Sequence, residues 1–417
     1  MLLFTHPTGN ANVRHAALGL FRAGLLEEFW TCLSFRAPAQ LDRLLPARIA
    51  GQLRRRSFPA ELSTAIHTRP FREVVRLFAP AAGFPGLVKH ETGRFSVDAV
   101  YHALDRAVAR RLRQRAFRGV YAYEDGAQFS FLEARRRGIR TLYDLPIGYW
   151  RAARALLLDE AEREPEWADT LTGNRDSEAK TERKDAELAL ADVVFVASTY
   201  TRRTLGEASN FKGTVVVVPY GAPVVTPTTH IPAPAPAKKL RVLFVGSLGQ
   251  RKGLSYLFAA CRRVHSAVTL TVIGRKPSEP CPALDRELGA VRWIPSCPHQ
   301  QILAEMAAHD VFVFPSLFEG FGLVLLEALA MGLPIITTPH TAGPDLIHDG
   351  VEGFIVPIRD PAAIAGRLEL LHREPARLAE MSRQARRCAR EYSWANYEAT
   401  LAACVGQVLA RNGTPGQ

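Results

Sequence analysis

The apolar run Leu240-Arg241-Val242-Leu243-Phe244-Val245-Gly246 has no polar–apolar alternation, and it constrains the fold more than any other feature of the chain. A strand with one wet face alternates with period two, whereas a strand covered by helices on both faces does not. The run therefore reads as a buried parallel strand, and parallel strands require long crossover connections, usually helices. The residues that follow fit this requirement. Strands are expected at Thr269–Ile273, Val291–Ile294, Val311–Phe314, Pro334–Thr338 and Gly353–Val356, with helices at Gln300–Ala308 and Leu323–Met331. Such a strand–helix beat predicts a doubly wound parallel sheet.

The first half keeps the same beat less regularly. Its expected strands are Leu2–Thr5, Gly119–Tyr123, Arg140–Tyr143, Val193–Ala197 and Thr214–Val218, and the arginine-rich stretch between Phe35 and Tyr101 reads as a mostly helical insertion or acceptor-side element. Between the halves lies TPTTHIPAPAPAKK, residues 226–239. Proline fixes φ and removes backbone donors, so this stretch reads as a stiff extended linker. With 417 residues the chain is too long for one ordinary core. The expected fold class is α/β, with two Rossmann-like doubly wound parallel-sheet domains facing a central cleft. The expected divisions are an acceptor-side domain at 1–225, the linker at 226–239, a second domain at 240–392, and a C-terminal helix within 393–417 that packs back on the first domain. Ligands of open α/β sheets bind outside the carboxyl ends of the strands.

Composition narrows the partners. Hydrophobic residues make up 47% and charged residues 23%, as in a globular protein. No window is apolar over the 18 or more residues that a spanning helix needs. The opening MLLFTHPTGNANVRH lacks the basic stretch and apolar run of a secretory signal, so a cytoplasmic protein is expected. The six cysteines form no CxxC pair and give no metal spacing. The net charge of +12 is weighted to the first half, in runs such as Arg54-Arg55-Arg56, Arg110 to Arg118 and Arg135-Arg136-Arg137. A solvated helix face accounts for any such run. The functional alternatives are a phosphate-bearing acceptor, the inner face of an anionic membrane contacted peripherally, or nucleic acid. No interleaved aromatics or groove-binding module favour nucleic acid.

The segment richest in chemistry is Pro315-Ser316-Leu317-Phe318-Glu319-Gly320-Phe321-Gly322-Leu323-Val324-Leu325-Leu326-Glu327-Ala328. A buried strand ends, two glycines allow a ligand close to the backbone, and a helix start offers unpaired N–H groups suited to a diphosphate. Glu319 lies in the loop and Glu327 about two turns into the helix, on the order of 10 Å further along. Taken singly, either glutamate is better read as an incidental acid beside a capped core helix; the whole segment in this order points to the functional reading.

Glu319 and Glu327, followed by Ala328-Leu329-Ala330-Met331-Gly332-Leu333-Pro334-Ile335-Ile336, closely resemble the E-x7-E signature of the GT4 family of retaining GT-B glycosyltransferases. Val245-Gly246-Ser247-Leu248 with Arg251-Lys252-Gly253 resembles that family's phosphate-binding turn. Gly350-x-x-Gly353-Phe354 and Tyr392-Ser393-Trp394 resemble its closing pattern. The resemblance implies a GT-B fold and transfer of a hexose from a nucleotide diphosphate sugar, UDP- or GDP-linked, to a glycan or lipid-linked acceptor. It implies retention at the anomeric carbon and no further cofactor. By the same resemblance Glu327 takes the donor ribose and Glu319 the sugar hydroxyls. Gly320, Phe321, Gly322 and Leu323 lie along the sugar and diphosphate, Arg251 and Lys252 pair with the diphosphate, and base recognition falls near Trp293 to Pro295. Gly9, in the turn after the first strand, meets the donor phosphate or the acceptor. A basic pair in these positions can substitute for a metal. In keeping with that, the sequence has no Asp-x-Asp, the usual metal–diphosphate ligand of the other glycosyltransferase fold.

One departure stands out. In Thr141-Leu142-Tyr143-Asp144-Leu145, Tyr143 occupies the position where the family's histidine near the anomeric carbon is expected. Asp144 or Glu124 is then the candidate to assist the acceptor, and each reads equally well as a loop acid. Rival readings are a catalytically silent scaffold with the same fold and an epimerase acting on a nucleotide sugar.

Overall fold

The computed structural model describes residues 1–35, 56–171, 173, 175–222 and 239–410. In the first half, β1 (Leu2–Thr5), β2 (Leu26–Thr31), β3 (Ile66–Thr68), β4 (Gly119–Tyr123), β5 (Arg140–Leu145), β6 (Val193–Val196) and β7 (Thr214–Val217) form one sheet in the order β3-β2-β1-β4-β5-β6-β7. In the second, β8 (Leu240–Val245), β9 (Val268–Ile273), β10 (Arg292–Ile294), β11 (Val311–Phe314), β12 (Ile335–Thr337) and β13 (Gly353–Ile355) form another in the order β10-β9-β8-β11-β12-β13. Every pairing in both sheets is parallel. Apolar strands buried on both faces, such as Val311–Phe314 and Val193–Val196, make the central layer of each domain.

The strand order reverses at β1/β4 and again at β8/β11. The chain leaves neighbouring carboxyl ends toward opposite sides of the sheet at such a point and so opens a crevice there. Gly9 follows β1, Glu124 follows β4, Arg251 and Lys252 follow β8, and Glu319 follows β11. Topology alone therefore brings residues from four distant stretches to two facing crevices.

The first half differs from the sequence expectation at one edge. The strands β2 and β3 were not anticipated, and the stretch after Phe35 is not a purely helical insertion. Within its described part it supplies β3, helix Pro70–Phe78 and two short 3-10 turns before helix Val97–Gln114 begins. The acids of LEEFWT hide the pattern of β2: Glu28 is buried, and its carboxylate accepts from Trp30 Nε1 at 2.8 Å and Arg111 Nη2 at 2.6 Å. The proline-rich stretch lies outside the described residues, save Lys239.

Two connections hold the domains together away from the loop that follows β11. The segment from helix Trp150–Arg163 to the 3-10 turn Pro165–Thr170 packs on the second domain, where Trp167 stacks on Phe258 at 6.1 Å. There the fully buried Glu160 accepts from Gln250 Nε2 at 2.7 Å, the Tyr256 hydroxyl at 2.9 Å and Arg359 Nε at 2.6 Å. The chain then returns: Ala222 N donates to Tyr392 O at 2.6 Å, and helix Trp394–Ala410 lies along helix Ala11–Arg22. A Cβ on Gly19 would sit 2.7 Å from Glu398 Cβ, so the close helix crossing depends on that glycine.

Candidate active site

After β8 the chain makes a 3-10 turn over Gln250–Lys252 before helix Leu254–Arg263. The loop after β11 folds over this turn, with Leu317 N and Ser316 Oγ both donating to Arg251 O, at 2.9 Å and 3.1 Å. This places two cations against one carboxylate. Lys252 Nζ and Arg251 Nη1 both contact Glu319 Oε2, the latter at 3.2 Å, and Arg251 Nη1 also donates to Phe318 O at 2.6 Å. Lys252 is buried and its ammonium lies 4.7 Å from the centre of the Phe314 ring. Burial, with Arg251 beside it, holds the Lys252 pKa well below its ordinary value. Burial also lowers that of Arg251. Among the described residues Glu319 is the only carboxylate within ion-pair distance of either cation. The cluster thus sets two basic side chains against one carboxylate in a desolvated place, where a further anion would favour their charged forms.

The helix beside it completes an anion site. Helix Leu323–Ala330 starts from Gly322, at φ +84°, with no side-chain cap. That left-handed conformation suits glycine and excludes a capping Ser, Thr or Asp without strain. The N–H groups of Phe321, Gly322, Leu323 and Val324 have no protein acceptor among the described residues. They form an open, partly positive helix start. Glu327 lies further along this helix, half-buried, and its carboxylate meets His299 Nε2 at 2.9 Å, an interaction that raises the His299 pKa. On the far side, Trp293 donates to Gly274 O at 3.0 Å and lies 4.4 Å below Lys276 Nζ, at the carboxyl ends of β9 and β10.

Gly320 faces the other domain. Its carbonyl accepts from Ser198 Oγ at 2.5 Å and Thr201 Oγ1 at 2.9 Å, and any Cβ on it would overlap the Pro146 carbonyl. The Phe321 ring packs edge-on against Tyr220 at 5.1 Å. Both residues are therefore joints between the domains, and the Gly320 carbonyl is already taken.

Of the acceptor-side candidates, the structure does not bring Tyr143 or Asp144 to this loop. Both lie on β5, buried on both faces, so period two sends them to opposite interiors. Tyr143 donates to Glu187 Oε2 at 3.1 Å, and Asp144 accepts from the Tyr121 hydroxyl at 2.6 Å. Glu124 instead sits at the carboxyl end of β4, with its carboxylate 3.6 Å from Lys184 Nζ. Burial raises its pKa to about 7, with Lys184 opposing. Gly9 accepts from Arg14 Nη1 at 2.6 Å. Sequence reasoning missed His6, buried at the end of β1, where Thr8 N donates to its Nδ1 at 3.0 Å and burial lowers its pKa to about 4. It also missed His299 and Ser198. A histidine at a strand end and another opening a helix were the available signals.

Asp144 gives a stability prediction. Burial lifts its pKa to about 7, against about 3.9 in an open chain. The fold therefore holds the proton more tightly than the unfolded chain, and this contribution is complete below pH ~4 and lost as pH rises to ~7. Asp144→Asn, which keeps an acceptor for Tyr121, removes that loss. Its melting temperature is expected to exceed that of the native chain by a margin that grows from pH 4 to 7 and is flat above, worth up to about 4 kcal/mol. Thermal unfolding across that pH series checks it; a margin independent of pH would refute it.

Residues 239–374 match the family described as "Glycosyl transferases group 1". The putative colanic acid biosynthesis glycosyltransferase WcaL of Salmonella typhimurium is 31% identical over 153 residues, covering 34% of this chain and 38% of that protein. Glycogen synthase of Mycobacterium tuberculosis is 32% identical over 176 residues, 40% of this chain and 41% of that one. The chain thus matches about two fifths of the length of these curated relatives. Among solved structures, sucrose-phosphate synthase from Thermosynechococcus elongatus superposes with a TM-score of 0.63 at 17% identity, covering 98% of this chain and 99% of that one. HepE from Anabaena, solved with UDP and glucose, gives 0.60 at 15%, covering 97% and 99%. At such identities the likeness establishes the fold of the whole chain. Residues 239–374 thus resemble the glycosyl transferases group 1 family, in a chain with the two-domain GT-B fold.

Proposed function

We propose that this chain is a glycosyltransferase of polysaccharide or glycan assembly that moves a hexose from a nucleoside diphosphate sugar to an acceptor hydroxyl, with retention. The observation that carries the reading is the pair of cations, buried Lys252 and half-buried Arg251, sharing the single carboxylate of Glu319 beside an uncapped helix start. A diphosphate supplies the missing negative charge. When it enters, Arg251 and Lys252 transfer to it and release the Glu319 carboxylate to the sugar hydroxyls. Glu327, steadied by His299, takes the ribose. As the glycosidic bond breaks, charge builds on the leaving phosphate, where the two cations and the helix N–H groups are already aimed. The leaving diphosphate then receives the acceptor proton on the same face, which suits a site rich in phosphate donors and without an adjacent nucleophile–base pair. Acceptors enter over the opposite crevice, near Glu124.

Thermal shift with UDP, GDP and ADP tests the reading, because a ligand of the folded state alone raises the melting temperature. One diphosphate is expected to raise it by several degrees, and its sugar conjugate to be turned over. Both effects should survive excess EDTA, since fixed cations do the work of a metal. No shift with any nucleoside diphosphate, or turnover lost in EDTA and restored by magnesium or manganese, would refute the assignment.

A further inference from the structure

Helix Pro70–Phe78 is built inside out. Its one buried residue is a glutamate: Glu73 accepts from Arg56 Nε at 3.0 Å and from Arg76 Nε at 2.6 Å. Its large apolar residues face water instead, with Phe71 71%, Val74 38% and Phe78 50% exposed. Positions i, i+3 and i+7 share one helix face. Phe84, 60% exposed in the turn that follows, and Val97, 51% exposed, are the other large apolar side chains exposed in this region. A soluble helix normally does the reverse, and a contiguous exposed apolar face on a stable protein marks a contact surface.

The surroundings of this face are cationic. Arg69 and Arg72 flank Phe71 in the chain, Arg94 supplies a carbonyl to Arg72 at 2.8 Å, and Arg110 lines the groove beside Phe71. None of the four has an ion-pair partner among the described residues, and Arg69 and Arg72 lie over the Trp30 and Phe95 rings instead. The arginine triplet at residues 54–56, by contrast, is no free basic patch: Arg54 and Arg55 lie outside the described residues, and Arg56 is buried on Glu73. The groove, 330 Å³ in volume, runs from Phe71 to Cys32 and Thr68 at the carboxyl ends of β2 and β3. The apolar face therefore opens on the same end of the sheet as the acceptor crevice.

We propose that this face docks on an anionic lipid bilayer, with Phe71, Val74, Phe78 and Phe84 seated among the acyl-chain ends and Arg69, Arg72, Arg94 and Arg110 at the phosphates. An apolar helix face ringed by unpaired arginines is complementary to an anionic interface in both layers. A protein partner would need acids opposite each arginine and a matching apolar cavity. Docking so would bring a lipid-borne hydroxyl to the carboxyl end of the sheet without any spanning helix; no helix among the described residues is long and apolar enough to cross a membrane. The inference rests on surface residues outside the donor site, so it stands or falls apart from the proposed transfer.

The experiment is co-sedimentation of the full chain with phosphatidylcholine vesicles, with and without about a third phosphatidylglycerol. Binding to the anionic vesicles alone, lost at high salt, is expected, as is a drop of roughly tenfold or more in the triple variant Phe71→Ser, Val74→Ser, Phe78→Ser. The variant should keep its melting temperature and its thermal response to nucleoside diphosphate. Arg94→Glu with Arg110→Glu should weaken binding without touching the apolar face. Absence of binding to anionic vesicles at low salt, equal binding by the triple variant, or a native dimer that the triple variant converts to monomer would each overturn the proposal. The last outcome would assign the face to a second copy of the chain.

Discussion

Lys252→Met is expected to weaken nucleoside diphosphate binding about a hundredfold while leaving the fold as stable as before or more so. The two halves of that statement have one cause. Lys252 is buried, and its ammonium is held below its ordinary pKa by desolvation and by Arg251. A methionine of similar length keeps the packing against Phe314 and removes a charge that the interior opposes. Glu319 is not left unpaired, because Arg251 Nη1 remains 3.2 Å away. Binding has no such reserve. A charge-assisted hydrogen bond to a buried phosphate is worth about 1.5–3 kcal/mol, more where water is excluded, so affinity should fall about a hundredfold. Glu319→Gln separates the roles further: it frees both cations, so diphosphate binding should hold or tighten while sugar transfer is lost. Calorimetric titration with the diphosphate that shifts the native chain, run beside thermal unfolding, reads both. Unchanged affinity in Lys252→Met would remove the phosphate role, and a large loss of stability would show that the cation serves the fold instead.

Much of this site was legible in the sequence because its parts are local. The turn Arg251-Lys252-Gly253 and the segment from Glu319 to Glu327 each lie on one strand–loop–helix unit, so order along the chain survives as order in space. The doubly wound halves were legible for the same reason: strands buried on both faces are continuous apolar runs, as in Val311–Phe314. What stayed hidden depends on pairings across long separations. Glu28 and Glu160 look like surface acids in sequence, yet both are buried, satisfied by Arg111 and by Gln250, Tyr256 and Arg359 respectively. An acid in a strand pattern is ambiguous until its partner is known, which is why β2 was missed. The buried placement of Tyr143 and Asp144 was hidden for a different reason. A motif position fixes where a residue lies along a strand, but the face it takes in a sheet covered on both sides depends on register with β4 and β6. The exposed face of helix Pro70–Phe78 was also unreadable, because a helix pattern does not say which stripe meets the core when the buried residue is a glutamate.

Gly320→Ala is expected to cut turnover at least about a hundredfold while diphosphate affinity changes less than about threefold, since displacements near 1 Å at a reaction centre cost about that much. The site is made by both domains, but its cations come from one. Arg251, Lys252, Glu319 and the helix start at Gly322 all lie in the second domain, so on the proposed reading diphosphate binding is expected to be nearly independent of the first. Gly320 is where the domains meet over the loop: its carbonyl takes the Ser198 and Thr201 hydroxyls, and its Cα lies against Pro146 and Ile147. A methyl group has no room there, and the obstacle is backbone, which cannot swing aside as a flexible side chain would. The domains must then part at this joint, while the Glu160 cluster and the Trp394–Ala410 helix still tie them elsewhere. The acceptor crevice moves away from the sugar, and the two crevices no longer face each other at reacting distance. Small-angle scattering should give a larger radius for the variant with nucleotide bound, and turnover of the nucleotide sugar should fall while calorimetry shows nearly native diphosphate binding. If turnover persists at the native rate with the wider radius, the chemistry does not depend on the contact at Gly320. If affinity falls together with turnover, the first domain takes part in holding the diphosphate, and Gly9, after β1, is the first residue to test.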